Sequence, residues 1–440
     1  MFYRHALLVA SCIAVIGCKD PGAASKHGPE PAGSAAQLGD TGSAAASSVA
    51  DSPAVAVPEK KSPKIGLVLL ITIDAMRGDQ AWTGYELANT PVLSKLAESS
   101  VVYTRAYAIA NTTGPAISGF LAVRYPTELE RDNCPLAGFT IGEGLGAVLS
   151  GAGVWTGAAH GNAYFAGSAA PKGGFTDWRV VKNVGGRLVS EGAVTGPEVT
   201  DLLIELIEAA PKNKPSFIWG HYLEPHDTYV RHKDFPPSKH PKRGLYDGEV
   251  AFADNEVGRV LAAIEASGLK DSTAVIVSAD HGEAFGEHDI YRHGFGVFEE
   301  EVRVPLLVRV PGQEPKRVEV PRSGIDIPRT IASLLGVEVP SRWRGASLVE
   351  DFADKELEER PVIVDVPELM NLPAQQVVVF GKYKVTRLGP RWIVYDLELD
   401  PAEKKPIKGA EAAELVERAK GVLGTIETVP HSSCRRQAFK

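Results

Sequence analysis

Cysteine is scarce in this chain, with four among 440 residues (Cys12, Cys18, Cys134 and Cys434), too few for a disulfide scaffold. Basic charge is in deficit as well. Lys and Arg number 47 against 55 Asp and Glu, for a formal net charge of -8, and no long basic block reverses the balance. That argues against general nucleic-acid binding. No apolar run is long enough to span a bilayer. What remains is ordinary: 44% hydrophobic and 23% charged residues describe a soluble globular protein, with length for one large α/β domain or two domains of ordinary size.

The start of the chain reads differently. Arg4 and His5 precede a mostly apolar stretch over 6–16, and Val15-Ile16-Gly17-Cys18 closes it. This is the pattern of a secretory signal. The ending resembles a bacterial lipobox, which implies cleavage before Cys18 and a lipid on its sulfur. Cleavage elsewhere, or a soluble chain with an apolar start, is the plainer reading. Lys19 after the cysteine implies the outer membrane, within the bacterial cell envelope, by the sorting rule for such lipoproteins. Residues 19–63 are rich in Ala, Gly, Ser and Pro without an apolar period, the composition of a flexible tether. With Cys12 removed and Cys18 lipidated, Cys134 and Cys434 are left, and nothing in the sequence decides whether they pair.

From residue 64 strands and helices alternate. Residues 65–73, I-G-L-V-L-L-I-T-I, predict a strand buried on both faces. Helices are expected over 91–99, 141–149, 202–209, 249–266 and 325–335, with strands at 154–156, 216–221 and 274–277. Alternation of this kind gives an α/β fold, a doubly wound, mostly parallel sheet covered on both faces. This catalytic domain spans 64–358. Residues 359–440 form a small C-terminal subdomain. It has short β-like runs over 361–400, read as an antiparallel sheet, and an amphipathic helix over 411–427 taken as core packing.

Chemistry gathers in residues 275–294, V-I-V-S-A-D-H-G-E-A-F-G-E-H-D-I-Y-R-H-G. The strand ends at Asp280 and His281, and ligands in open α/β sheets sit at carboxyl ends of strands. Asp74 holds the matching place after 65–73. An aspartate oxygen and an imidazole nitrogen together suit zinc or manganese. The bland alternative makes Asp280 a turn former and His281 a loop histidine. Two more segments belong with these: Asn111-Thr112-Thr113-Gly114-Pro115 and His221-Tyr222-Leu223-Glu224-Pro225-His226.

The order and spacing of the four segments resemble the sulfatase branch of the alkaline phosphatase superfamily, over residues 65–406. Gly174-Phe175-Thr176-Asp177-Trp178, Tyr246-Asp247-Gly248-Glu249 and the closing run from Tyr395 to Glu403 fit the same pattern. Sulfatases carry C/S-x-P-x-R, whose first residue matures to formylglycine. Here Thr113, Pro115 and Ile117 stand at those positions, so the resemblance departs at the nucleophile. Threonine yields no formylglycine. It resembles the nucleophile of the superfamily's phosphodiesterases and phosphoethanolamine transferases.

The resemblance implies one divalent metal ion (zinc, manganese or calcium) held by Asp74, Asp280 and His281 with Thr113, which would serve as nucleophile. It implies catalytic His226 and His293 at the ester oxygens. A structural histidine in a turn is the bland reading of each. Asn111 is a candidate oxyanion donor and His160 a candidate pocket residue. His221 is expected to be packed, and Arg77 and Glu224 are weaker candidates. Glu224 or Asp227 would be needed to complete a second metal site. Expected substrates are small-molecule, glycan or lipid esters, phosphate before sulfate, with the membrane as partner through Cys18. Two other classes stay open: a non-catalytic binding protein, suggested by Ala75, Ala116 and Ile117, and a phosphoethanolamine-type transferase.

Overall fold

The computed structural model describes residues 64–133, 138–165, 172–181, 194–353, 355–369 and 372–433. The expectations for the signal, for Cys18, for the tether and for a Cys134–Cys434 pair lie outside the described residues. The strands are β1 Leu67–Ile73, β2 Val101–Tyr107, β3 Trp155–His160, β4 Asp177–Val180, β5 Ser216–Tyr222, β6 Thr273–Ser278, β7 Ala284–Phe285, β8 Tyr291–Arg292, β9 Arg303–Arg309, β10 Lys316–Val318, β11 Arg322–Ser323, β12 Val362–Val366, β13 Gln375–Phe380, β14 Tyr383–Leu388 and β15 Arg391–Asp396. The helices are α1 Pro91–Ala97, α2 Thr113–Ala122, α3 Leu145–Gly151, α4 Gly196–Ala209, α5 Gly244–Ala266, α6 Glu299–Val302, α7 Asp326–Leu334 and α8 Ala410–Leu423.

Every residue of β1 is buried, because parallel neighbours flank it on both sides: β5 pairs from Leu67–Ser216 to Ile73–Tyr222, and β6 from Leu67–Thr273 to Thr72–Ser278. Burial of each Leu, Ile or Val there contributes about 1.5–3 kcal/mol over exposure. The nine-stranded sheet runs β10-β2-β9-β6-β1-β5-β3-β4, with β11 also on β2. Strand β9 is antiparallel to both β2 and β6, so β2 runs in the same sense as β6 and β1. The fold is the expected mostly parallel α/β sheet, and β12-β13-β14-β15 form the expected separate antiparallel sheet.

One hydrophobic core includes Leu69 and Ile276 of the main sheet together with Val378, Val385 and Leu415 of the C-terminal part. A buried polar joint ties the antiparallel sheet to the turn that follows α2. Thr127 donates to Asp365 from its backbone N and from Oγ1, both at 2.7 Å, and Gln376 donates to the same carboxylate at 2.9 Å.

Several boundaries shift from expectation. Strand β3 runs on to His160 through Gly157-Ala158-Ala159, small residues without strand propensity, and Gly157 lets Leu206 approach. Helix α4 starts at Gly196, six residues early. Pro197 suits its first turn, and the buried Glu224 carboxylate accepts the N–H groups of Thr195 (2.5 Å) and Gly196 (3.0 Å).

Candidate active site

Because β1, β2, β3, β5 and β6 all run in one sense, their carboxyl ends share an edge of the sheet. That edge receives Asp74 after β1, Asn111 to Thr113 after β2, Asn162 after β3, His226 after β5, and Asp280 and His281 after β6. Asp74 and His281, 207 positions apart in sequence (281 − 74), are brought together by strand direction.

Asp74, Asp280 and His281 are all buried, and their ligand atoms lie within 4.8 Å of one another. His281 Nε2 is 3.5 Å from Asp74 Oδ1 and 3.5 Å from Asp280 Oδ2. The other ring nitrogen, Nδ1, donates to the Gly282 carbonyl at 2.9 Å, which leaves the Nε2 lone pair facing the carboxylates. A Cβ at Gly282 would stand 2.1 Å from the Glu300 carbonyl oxygen, so only glycine lets the chain turn there against α6.

Thr113 is the first residue of α2. Its Oγ1 is 3.2 Å from His281 Nε2 and 3.5 Å from Asp74 Oδ1. The helix N-terminus adds partial positive charge where a transferred oxyanion would sit. Ile117, one turn further, is buried in the core and brings no cation.

Asp280 accepts the N–H groups of Ala75 (3.2 Å) and His281 (3.0 Å) on Oδ1, while its Oδ2 is buried without a hydrogen-bond partner. Such an atom costs free energy unless something pairs it. Two buried aspartates, an orphaned oxygen and an imidazole lone pair suit a divalent cation. The residues therefore fit the metal that the sequence implies. Burial disfavours the Asp74 carboxylate, but the charge of His226, the hydrogen bond and charge of His221, and the charge of His281 outweigh it and hold the group well below the usual range.

His226 and His293 reach the same place. Their ring centroids are 5.0 Å apart, and His293 is 4.2 Å from His281. Burial opposes a charged His226, yet the charge of Asp74, the hydrogen bond to the Asp227 carbonyl, and then the charges of Glu283 and Asp280 raise its pKa above the ordinary value. His293 goes the other way, lowered to about 4 by burial and by the charge of His226. Its Nδ1 lies 3.1 Å from Glu283 Oε1, and burial pushes that carboxyl up to about 7. One ring favours the cation and its neighbour the neutral form.

The weaker candidates fall differently. His160 is fully buried. It is enclosed by Phe165, Trp178 and Trp219 at centroid distances of 4.4, 4.2 and 4.6 Å, because β3 extends far enough to carry it into the core. Asn111 spends an amide N–H on the Gly296 carbonyl at 2.6 Å. Arg77 pairs with Asp79 and Glu287, and Asp227 with Arg292, each at 3.0 Å. Glu224 caps α4, so it does not supply a second metal site beside His226. His221 is packed as expected, but its Nε2 is 3.5 Å from Asp74 Oδ2 while Nδ1 meets Thr72 Oγ1 at 2.8 Å.

Sequence reasoning missed two neighbours. Asn162 Nδ2 donates to Asp74 Oδ2 at 3.1 Å, and Glu283 backs His293. Position just past a strand end was the only signal for Asn162.

The sulfatase family model matches residues 67–337. A second, the C-terminal region of N-sulphoglucosamine sulphohydrolase, matches 286–425. The choline-sulfatase of Rhizobium meliloti is 30% identical over 166 residues, 37% of this chain and 32% of that protein. The chain thus matches about a third of that curated relative's length. Among solved structures, the phosphonate monoester hydrolase of Agrobacterium radiobacter superposes with a TM-score of 0.64 at 19% identity, covering 82% of this chain and 95% of the other. A structure solved with its substrate D-glucosamine-2-N,6-O-disulfate gives 0.67 at 18% identity, over 84% and 99% of the two chains. At such identities the structures speak for the fold alone.

Proposed function

The chain belongs to the sulfatase family, and on that premise we propose that it is a metal-dependent ester hydrolase with the Thr113 hydroxyl as nucleophile. One observation carries the reading: Thr113 Oγ1 stands 3.2 Å from His281 Nε2 and 3.5 Å from Asp74 Oδ1, at the N-terminus of α2. Asp74, Asp280 and His281 would hold the divalent ion beside that hydroxyl. When bound, the ion lowers the pKa of an adjacent hydroxyl and offsets charge on the transferred group.

This chain's own residues do the rest. Thr113 Oγ, its proton released to solvent, attacks the phosphorus or sulfur of the ester, and the bond to the leaving oxygen breaks. His226, whose pKa is raised, donates a proton to that oxygen. His293, neutral at pH 7, donates a hydrogen bond from Nε2 to the ester oxygens when the Glu283 carboxyl, pushed up to about 7, keeps its proton and donates to Nδ1. Water, giving a proton to the now neutral His226, then displaces Thr113 Oγ and releases the acid. Phosphate esters are favoured over sulfate esters, because Thr113 and Ile117 stand where formylglycine enzymes carry Cys or Ser and Arg. The relatives act on choline sulfate and sulfated sugars by their names, so small-molecule or glycan esters are the substrates proposed here. A lipid on Cys18 would hold the enzyme at the bacterial cell envelope through the tether 19–63.

The test is turnover of p-nitrophenyl phosphate, bis(p-nitrophenyl) phosphate and p-nitrophenyl sulfate by wild type and Thr113→Ala, with metal content measured alongside. Phosphoester turnover lost in the variant, with metal retained, supports the proposal. Turnover surviving Thr113→Ala removes Thr113 as nucleophile, and a protein with neither metal nor turnover is a binding protein.

A further inference from the structure

Beside the Asp74 site, a second set of nitrogen and oxygen donors converges among the described residues. His288, Glu300 and Glu403 place ligand atoms within 4.8 Å of one another. They come from three parts of the chain: the loop between β7 and β8, helix α6, and the segment after β15.

The histidine is held in place. Its ring stacks on Phe298 at a centroid distance of 3.6 Å and 3° between planes. His288 (φ 52), Asp289 (φ 60) and Glu403 (φ 49) all lie in the left-handed region, which side chains other than glycine's occupy at a cost. His288 Nε2 and Glu300 Oε1 are 3.9 Å apart, beyond a hydrogen bond. Two ligands at about 2.1 Å on one tetrahedral ion would stand roughly 3.4 Å apart, so a small shift closes them on a cation. The Glu300 side chain is 8% exposed, and its Oε1 has no hydrogen-bond partner.

Charge points the same way. Glu299, Glu300 and Glu403 crowd a region whose buried cation is Lys384, and its Nζ reaches Glu299 at 3.1 Å and Glu403 at 2.9 Å. Arg77, which also acts on Glu300, is committed to Asp79 and Glu287. Lys384 thus serves Glu299 and Glu403 and leaves Glu300 without a cation of its own apart from His288, while burial pushes the Glu300 carboxyl up and that of Glu403 to about 7. Excess negative charge of this kind is costly unless a cation joins it.

We propose that His288, Glu300 and Glu403 form a second divalent-cation site that pins the 280–293 loop to α6 and to the segment after β15. One imidazole and two carboxylates select an ion of the zinc or manganese type. The site would brace the catalytic edge from behind, since the Glu300 and Glu301 carbonyls accept the N–H groups of Glu283 and Gly282 at 2.8 Å each. It rests on its own residues and stands whether or not Thr113 is the nucleophile.

The experiment is elemental analysis of the full chain after loading with zinc or manganese and exhaustive dialysis, for wild type, Asp280→Asn, His288→Gln and the double variant. His288→Gln is chosen because it leaves the Lys384 ion pairs alone. The expected contents are about two ions per chain for wild type, about one for each single variant and none for the double. His288→Gln should also melt several degrees below wild type with metal present, and the gap should close after chelation. A His288→Gln protein that keeps the wild-type content overturns the proposal, as does a wild type whose single ion is lost with Asp280→Asn. Should His288→Gln fail to fold, Glu300→Gln carries the same test.

Discussion

The Tyr246 hydroxyl donates to the Ala75 carbonyl at 3.0 Å and accepts the Arg77 N–H at 2.8 Å, so one side chain of α5 spans the turn that follows Asp74. Ala75 has φ 57, a strained conformation for a residue with a Cβ, and its N–H points to Asp280. The buried hydroxyl thus holds the backbone joining the two aspartates. Tyr246→Phe keeps the ring packing and leaves a carbonyl and an N–H unpaired, at a cost of about 1–3 kcal/mol in denaturant unfolding. If the turn positions Asp74, kcat should fall further than KM rises; unchanged kinetics in a destabilised variant would limit Tyr246 to stability.

Thr113→Ser and Thr113→Ala separate a nucleophile from a packing residue. Serine keeps Oγ beside His281 Nε2 and Asp74 Oδ1, so substantial activity should remain on whichever ester the enzyme turns over. Alanine removes the attacking atom, and the loss should be on the order of a thousandfold or more. Equal losses in both variants would point to the Thr113 methyl group, and thus to packing.

Sequence and structure meet most closely where physics is local. Strands β1 and β6 were legible because burial on both faces writes a continuous apolar run, and Asp74, Asp280 and His281 follow those runs directly. The C-terminal sheet was legible from its β-branched segments. Strand β9 received no assignment: it carries Pro305 between two arginines, and what buries it is its place between β2 and β6. Strand β3 was cut short because Gly157-Ala158-Ala159 says little about conformation, and that error placed His160 at a pocket. Asn162 was invisible for a related reason. Its partner lies 88 residues earlier, and only the shared edge of the sheet brings them together.

That Asn162–Asp74 contact yields another prediction. An amide donating to one oxygen of a metal-binding carboxylate fixes its orientation, and such partners are typically worth 10–100-fold in metal affinity. Asn162→Ala should weaken metal binding by about that factor in calorimetric titration. Unchanged affinity would mean that His221, also on Asp74 Oδ2, suffices to orient the carboxylate.

The last prediction concerns pH and a carboxyl away from the proposed metal ligands. Glu249 on α5 is almost fully buried; Oε1 accepts the Val230 N–H at 2.8 Å, and Oε2 has no partner. Burial pushes the carboxyl up to about 8 from the ordinary 4.5, and the Val230 hydrogen bond only partly opposes this. The folded chain therefore keeps a proton that the unfolded chain releases between those two values. Where the native state binds more protons, stability falls as pH rises. Wild type should lose stability from about pH 4.5 to about pH 8, by an amount on the order of a few kcal/mol from this group. Glu249→Gln can still accept the Val230 N–H but cannot ionise. Below the window the two proteins should unfold at similar denaturant concentrations, and the variant should gain steadily on wild type as pH rises through it. A constant difference across the window would show that Glu249 ionises in the fold at its ordinary pH, with His232, 3.5 Å from Oε1, as the available counter-charge.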